Sequence, residues 1–191
     1  DSTNIRAKLE AEQGAESGLL VVADQQTAGR GRRGRGWESP SGSNIYYTLM
    51  LKPDFNADCA PMLTLVMALA VAKGIRQTLG RGSEEGAAKV GIKWPNDIVV
   101  DGKKVCGILT EMSMEQAYIH HIVIGVGINV RRQEFPKEIR DRAAAIEEQC
   151  GFRISRSQLI ADIMEAFEED YEIFLPVSYT HLRAHETSAH L

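Results

Sequence analysis

Five apolar runs along the chain have the length and the β-branched or aromatic content of strands. The sequence Asp101-Gly102-Lys103 separates two of them, and an Asp-Gly pair favours the tight turn of a β-hairpin. The pattern therefore predicts a sheet with a buried strand at Leu19–Ala23 and further strands at residues 44–51, 98–100, 104–112 and 119–130.

Other segments repeat apolar residues every three or four positions, which predicts helices. Residues 59–79 carry no charge between Ala60 and Ala72, so this helix should be buried on nearly every side. A short helix is expected over residues 5–13, and the charged residues 136–150 are typical of a surface helix. Ser155 should cap a last helix whose apolar residues, from 159 to 174, would form an amphipathic lid on the sheet.

Composition narrows the class of protein. A chain of 191 residues fits one domain with a sizeable core, and its net charge of −4 is not that of a general nucleic-acid binder. Cys59, Cys106 and Cys150 are widely spaced, as expected for reduced thiols in the cytoplasm. The uncharged apolar run from Ala60 to Ala72 is too short to span a membrane, and we expect no signal peptide.

The most unusual stretch is a polar link of 13 residues, 25–37, between the first two predicted strands. Its residues 29–36 consist of four glycines and four arginines, and Trp37 follows directly. Glycine lets a backbone approach a ligand closely, and the arginine fork matches carboxylates and phosphates. We expect an anion-binding loop that is mobile when empty and ordered when filled. The alternative, a disordered Arg-Gly tail that binds nucleic acid, fits poorly with the strands on either side.

Two further clusters could hold a polar ligand. Residues 1–4, Asp-Ser-Thr-Asn, offer small donors and acceptors, although they could equally well cap the following helix. Lys104 begins the return strand of the hairpin, where it is either a solvated lysine or a ligand contact. Gly125 and Gly127 would let a ligand lie against bare backbone, but they do not lead into the helix that a dinucleotide fingerprint requires.

The histidines do not predict a metal site. His120 and His121 are neighbours on a strand, so their side chains should point to opposite faces and could not chelate one metal ion. The three other histidines lie in residues 176–191, which break the period of the preceding helix and resemble a translated sequencing-adaptor peptide. We therefore expect this tail to be foreign to the fold, and its His185-Glu186 pair does not complete an H-E-x-x-H motif.

Five motifs, in one order and with family-like gaps, resemble those of bacterial biotin protein ligases. They are residues 1–4, 26–35, 93–97, 104–109 and 125–129, and the resemblance covers residues 1–175. By this comparison residues 1–175 form the catalytic domain, without the family's first strand and its small C-terminal β domain. Whether the parent protein also carried a helix-turn-helix repressor domain stays open.

The resemblance implies an α/β fold, more narrowly α+β, with a mixed, mainly antiparallel sheet backed by helices, as in class II aminoacyl-tRNA synthetases. It implies that ATP activates biotin to biotinyl-5′-AMP, and that biotin then passes to a lysine of the biotin carboxyl carrier protein of acetyl-CoA carboxylase. Mg²⁺ should arrive with ATP, and a homodimer is compatible with the family. Attachment of lipoate or octanoate is the nearest alternative activity, and binding of nucleic acid through the Arg-Gly loop is the alternative from another class.

The resemblance also implies roles for individual residues. The catalytic residues would be Lys104, Arg30 and Arg32. Biotin would be bound by Ser2, Thr3, Asn4, Gln26, Gly29, Arg30, Gly31, Arg32, Lys104 and Gly107. ATP would be bound by Arg30, Arg32, Arg33, Trp37, Asn96, Asp97, Lys104 and Asn129, with Trp37 stacking on the adenine.

Overall fold

A computed structural model describes residues 1–82, 84, 87, 89–116 and 118–188, with side chains as far as Leu175. Three helices and six strands follow one another along the described chain. In chain order they are α1 (Thr3–Glu12), β1 (Leu19–Ala23), β2 (Ile45–Leu51), α2 (Met62–Gly80), β3 (Val90–Lys93), β4 (Asp97–Val100), β5 (Lys103–Glu115), β6 (Tyr118–Ile128) and α3 (Arg156–Ser188).

The strands form one sheet in the order β1-β2-β6-β5-β4-β3, and every neighbouring pair is antiparallel. The implied fold class, a mainly antiparallel sheet backed by helices, is therefore confirmed. The parallel component in the described part of the chain is an isolated bridge between Lys104 and Ala143. Asp101 and Gly102 form the turn between β4 and β5 with φ values of 50° and 75°, the left-handed conformation that an Asp-Gly turn supplies.

The two faces of the sheet differ in what covers them. Helices α2 and α3 pack on one face and bury the main core, which includes Leu63, Met67 and Ile163. Helix α1 lies on the other face, where its two alanines, Ala7 and Ala11, pack on Met50 and Val123. Because α1 covers only part of its face, the remainder of that face is available to build a site.

Strand β1 differs from the prediction of a buried strand. It is an edge strand whose residues are only partly buried, and Val22 is 52% exposed. Strand β2, its neighbour inside the sheet, is buried along its whole length because helices or loops cover both of its faces.

Helix α2 is the predicted apolar helix, and 11 of its residues are buried. With the preceding short turn, the stretch Ala57–Gly80 is long and apolar enough to cross a membrane by length and composition alone, whereas the uncharged run inside it, residues 60–72, is too short to do so. Half of its residues are nonetheless buried inside the fold. Its composition is that of a helix between a sheet and a second helix.

The helix expected at residues 136–150 was wrong. Only a short 3₁₀ turn, Ile146–Glu148, occurs there. Backbone groups of this segment pair instead with distant partners: Lys104 N–H donates to the Arg142 carbonyl over 2.7 Å, and Ile146 N–H donates to the Asn129 carbonyl over 2.9 Å. These long-range bonds use groups that a helix would need for itself.

Helix α3 begins after Ser155, whose hydroxyl oxygen accepts from Gln158 N–H over 3.3 Å, and the predicted cap is confirmed. The buried residues Leu159, Ile163 and Phe167 form the lid on α2 and the sheet. The backbone remains helical to Ser188, so it includes most of the tail that the sequence sets apart. The side chains of residues 176–191 lie outside the described part, and the foreign origin of the tail stays a prediction.

Candidate active site

Three rows of residues, on the face of the sheet that α1 partly covers, form the floor of the site. The register of β2, β6 and β5 aligns Tyr46 with Gly127 and Gly107, Thr48 with Gly125 and Leu109, and Met50 with Val123 and Glu111. Partners in antiparallel strands point to the same face. The floor is therefore lined with glycine in its first two rows and becomes apolar and acidic in the third.

The first row lies under the indole ring of Trp37. A Cβ atom at Gly127 would come within 2.5 Å of Trp37 Nε1, and one at Gly107 within 2.8 Å of Trp37 Cζ3. The indole nitrogen is buried and has no hydrogen-bond partner. The glycines thus provide the bare surface that the sequence indicates, but a side chain of the same protein lies on it.

The second row lies under Asn4. A Cβ atom at Gly125 would fall 1.9 Å from Asn4 Oδ1, so only glycine leaves room for the amide. The Thr48 hydroxyl lies 2.7 Å from the same oxygen, and Asn4 Nδ2 donates to Glu111 Oε2 over 2.9 Å. These two bonds fix which way the amide faces.

The arginine loop is a compact hairpin. Trp37 N–H donates to the Gly29 carbonyl over 2.9 Å, and Gly31 N–H donates to the Arg35 carbonyl over 2.7 Å. A Cβ at Gly29 would lie 2.2 Å from the Trp37 carbonyl oxygen, so the base of the hairpin requires glycine. The 3₁₀ turn Arg32–Gly34 forms its tip.

The polar side chains at the start of α1 bond to other residues of the site and do not cap the helix. Ser2 occupies the N-cap position without a side-chain cap bond, so the interpretation of residues 1–4 as a helix cap is not supported. Thr3 donates from both its backbone N–H and its hydroxyl to Gln26 Oε1, over 3.0 and 3.1 Å. Gln26 Nε2 then donates to the Ser39 hydroxyl over 2.9 Å. Ser2, Thr3 and Asn4 are all buried, which is unusual for polar residues.

Three cations converge on the site, and each has a partner. Lys104 Nζ lies 2.7 Å from Asp97 Oδ1 and 5.3 Å from the centre of the Trp37 ring. Arg32 Nη1 donates to Asn96 Oδ1 over 2.8 Å. A third contact, between Arg30 Nη2 and Glu111 Oε1, measures 3.2 Å.

Other residues of the expected site lie less centrally. Arg33 is exposed at the tip of the loop, with the left-handed φ of 58°. Asn129 is buried and donates from Nδ2 to the Ala144 carbonyl over 3.2 Å, so its amide holds the chain segment beside Lys104. Asn96 Nδ2 likewise donates to a backbone carbonyl, that of Ile108, over 3.0 Å, and its Oδ1 is left to meet Arg32.

Sequence reasoning missed Glu111 and Thr48. Both lie two or four positions along a strand from a residue that faces the site, so the alternation of strand side chains could have found them. Burial, the largest influence, would raise the pKa of Glu111, but hydrogen bonds from Asn4 and Lys8 and the charges of Lys8 and Arg30 outweigh it. The pKa of Glu111 therefore lies below its ordinary value, and the group is a carboxylate at neutral pH.

The expectation for the two histidines was wrong in its geometry. His120 Nδ1 and His121 Nδ1 lie 2.8 Å apart, because the register of β5 and β6 shifts at His120 and the resulting β-bulge breaks the alternation of side chains. Burial and the neighbouring His120 lower the pKa of His121. Among the described residues no group of three or more His, Cys, Asp or Glu side chains could hold a metal ion.

Chemically, the site joins a flat glycine floor to three cationic side chains and a polar cluster at the start of α1. A flat ring can approach the floor closely because no Cβ atoms stand in the way. Guanidinium and ammonium groups favour carboxylate and phosphate oxygens, and they can exchange their present partners for such a ligand. The arrangement suits an anionic ligand with a polar ring at one end.

Comparison with known proteins agrees with this geometry. The sequence model of the biotin/lipoate A/B protein ligase family matches residues 1–129. The bifunctional ligase/repressor BirA of Bacillus subtilis is 40% identical over 184 residues, 95% of this chain and 54% of that protein. The biotin–[acetyl-CoA-carboxylase] ligase of Paracoccus denitrificans is 41% identical over 130 residues, 68% of this chain and 51% of that protein.

A solved structure is also similar. The biotin protein ligase of Aquifex aeolicus, in complex with biotin and ATP, superposes with a TM-score of 0.76 at 33% identity, covering 91% of this chain and 68% of that one. The chain spans about half the length of the two relatives described above. The match to the family model extends over the arginine loop, the Lys-Trp-Pro-Asn-Asp turn, Lys104 and the glycine floor, and the chain belongs to the biotin/lipoate A/B protein ligase family.

Proposed function

We propose that this chain is the catalytic core of a biotin protein ligase. In the first step the biotin carboxylate attacks the α-phosphate of ATP, forming biotinyl-5′-AMP and releasing pyrophosphate. In the second step the ε-amine of an acceptor lysine attacks the acyl carbon, forming an amide and releasing AMP. Two anions must meet in the first step, so positioning and cationic stabilisation carry most of the catalysis.

The observation that carries the proposal is the cluster of Lys104, Arg30 and Arg32 around the glycine floor. Lys104 lies near the start of β5, directly after the hairpin turn, and hydrogen bonds to Arg142 and Ala144 hold its backbone in place. Its flexible stem lets the ammonium leave Asp97 and follow the α-phosphate oxygens as they gain charge. Asp97 then serves as the group that orients the ammonium before ATP binds.

Biotin binds with its ureido ring toward Ser2, Thr3, Asn4 and Gln26. The first three residues are buried and Gln26 is half-buried, and together they are rich in donors and acceptors, as a ureido group with two N–H donors and one carbonyl requires. Gly107 leaves the floor flat beneath the valeryl chain, and Gly29 and Gly31 give the loop backbone its close approach. Arg30 and Arg32 cover the carboxylate.

ATP binds on the side of the site where Arg32 meets Asn96. Arg33 at the loop tip and Asn129 complete this side, and Trp37 stacks on the adenine after moving from its place on Gly107 and Gly127. Mg²⁺ would arrive with ATP and would neutralise phosphate charge. The carboxylate of Asp97, next to Asn96 in the chain, is already paired with Lys104, which fits a metal held mainly by the nucleotide.

The acceptor is a lysine on a biotin carboxyl carrier protein, such as that of acetyl-CoA carboxylase. The protein works in the cytoplasm, where its three free cysteines stay reduced. A homodimer is compatible with this function, and neither a membrane nor a nucleic acid is needed for it.

Pyrophosphate exchange into ATP tests the proposal, with biotin, lipoate, octanoate or no acid added. We expect exchange that depends on biotin and is much weaker with lipoate or octanoate. Exchange that prefers lipoate or octanoate would show that the chain is a ligase for that acid and not for biotin. Absence of exchange with every acid, together with salt-sensitive binding of nucleic acid, would contradict the proposal.

A further inference from the structure

Glu111 is the acidic residue at the polar end of the site, and no role in the reaction described above falls to it. It lies in the third row of the floor, on β5, four residues after Gly107 and beside the two glycine rows. Its side chain is only 19% exposed. A carboxylate there partly neutralises Arg30, a side chain proposed to receive the carboxylate of the ligand, so its presence requires an explanation.

Three nitrogen atoms surround this carboxylate. Lys8 Nζ lies 2.9 Å from Oε1, Asn4 Nδ2 donates to Oε2 over 2.9 Å, and Arg30 Nη2 lies 3.2 Å from Oε1. Lys8 and Arg30 together carry one positive charge more than Glu111 neutralises. The cluster as a whole is therefore cationic and can still attract an anion.

The contact with Arg30 is made at one end of the guanidinium. Arg30 is 46% exposed, and only its Nη2 meets Glu111, so its remaining donors stay available. Without Glu111 the long side chain could turn into solvent, since exposed arginines have many rotamers of similar energy. With Glu111 it is held at the edge of the floor before any ligand arrives.

The contact with Asn4 sets the direction of an amide. Glu111 accepts from Nδ2, which leaves Oδ1 toward Thr48 and above Gly125. An amide turned by 180° would point its nitrogen at the floor and lose the bond to the carboxylate. Glu111 therefore shares with the Thr48 hydroxyl, and with the Leu109 carbonyl 3.4 Å from Nδ2, the task of setting which amide atom meets a ligand above the second row.

We propose that Glu111 is a positioning residue for biotin, which holds Arg30 and the Asn4 amide in the orientations that receive the carboxylate and the ureido ring. This inference rests on the proposed function. Glu111 acts when biotin binds, before biotinyl-5′-AMP forms. It therefore contributes to the affinity for biotin and not to the rate at which the bound substrates react. The KM for biotin should depend on it, while kcat should not.

The test compares wild type, Glu111→Gln, Arg30→Ala and the double variant in biotin-dependent pyrophosphate exchange with saturating ATP. Glutamine keeps the shape and can accept from Asn4, but it loses the charge that holds Arg30. We expect Glu111→Gln to raise the KM for biotin about tenfold with kcat within about twofold, and to have no further effect in the Arg30→Ala background. Glu115→Gln, the same change at an exposed position of β5, is the control and should match wild type.

Two further variants separate a positioning role from a structural one. Glu111→Asp keeps the charge and should give a KM between those of wild type and Glu111→Gln. Glu111→Ala also removes the acceptor for Asn4 and should raise KM beyond Glu111→Gln. A wild-type KM in Glu111→Gln, a tenfold effect that persists without Arg30, or a fall in kcat with KM unchanged would each overturn the inference. Exchange by wild type that ignores biotin would instead refute the proposed function.

Discussion

The indole ring of Trp37 lies on Gly127 so closely that a Cβ atom there would come within 2.5 Å of Nε1 and 2.6 Å of Cε2. The aromatic residue of the arginine loop therefore occupies the floor of the site and leaves its own N–H without a partner. An unpaired buried donor costs about 1–3 kcal/mol, so this position of the ring is one that a ligand can readily displace.

A substitution at the floor tests this contact. Gly127→Ala should push Trp37 away and expose it, because overpacking costs about 1–3 kcal/mol and the loop can lift more easily than the sheet can yield. Trp37 and Trp94 are the two tryptophans, so a Trp94→Phe background isolates the signal. We expect a red shift of the emission and a higher KM for biotin, with little change in the melting temperature.

The matched control is Gly91→Ala on β3, where a new Cβ would meet Val99 at 3.4 Å, an ordinary contact. That variant should keep the emission of the parent. If Gly127→Ala keeps it as well, Trp37 does not lie on the floor in solution.

Lys104 should act on the first chemical step. Lys104→Ala removes the ammonium that lies 2.7 Å from Asp97 beside the floor, whereas the polar cluster at α1 stays intact. We expect biotin-dependent exchange to slow by ~10²–10³, the usual cost of one lost transition-state contact, with biotin binding nearly unchanged in calorimetry. Lys103, exposed at the start of β5, should tolerate the same substitution. Equal behaviour of the two variants would remove Lys104 from the chemistry.

Arg30 should hold the intermediate. Arg30→Ala removes a charge-assisted contact, but because the side chain is nearly half exposed the loss should lie toward the low end of about 1.5–3 kcal/mol. We expect a higher KM for biotin and faster release of biotinyl-AMP, measured by trapping the free intermediate in single-turnover experiments. Normal retention of the intermediate would show that the loop closes without this residue.

The end of the chain should be dispensable. Deletion of residues 176–191 leaves every described core residue of α3, of which Phe174 meets Phe55 edge to face at 5.6 Å. We expect an unchanged melting temperature and unchanged biotin binding. Truncation after Asp170 also removes Tyr171 and Phe174 and should lower the melting temperature. A clear loss of stability on the shorter deletion would show that the tail packs on the fold.

His121 should make stability depend on pH. Its folded pKa is lowered from 6.5 by burial and by His120, so the unfolded chain takes up the proton first as the pH falls. The stabilising effect of the neutral ring is complete above the unfolded value and is lost progressively below about pH 6.5. Melting temperatures between pH 7.5 and 5.5 should fall more steeply for wild type than for His121→Gln. Parallel curves would show that His121 does not titrate on unfolding.

Sequence patterns were sufficient to predict features that depend on residues close together in the chain. The Asp101-Gly102 turn, the apolar helix α2 and the cap at Ser155 all follow from residues within one turn or one helical repeat. The arginine loop was found because its composition is unusual at that position, between two strands.

Features that depend on distant partners were missed. Residues 136–150 have helix-forming composition, yet backbone bonds to Lys104 and Asn129 make them extended and turned. Glu111 belongs to the site only because the sheet brings β5 beside α1, more than 100 positions away along the chain. The rings of His120 and His121 meet because the register of β5 and β6 shifts at His120, and this β-bulge breaks the alternation of the strand.

The glycine floor also limits how this protein could change its substrate. At Gly107, Gly125 and Gly127 the surface is already the backbone itself, so no substitution there can deepen it and every substitution makes it shallower. Selection for a bulkier acid would therefore have to act on the covering elements, the arginine loop and the first turn of α1. The range of substrates is therefore set by the loop and the helix end that cover the floor, because these can be lengthened or replaced without disturbing the sheet.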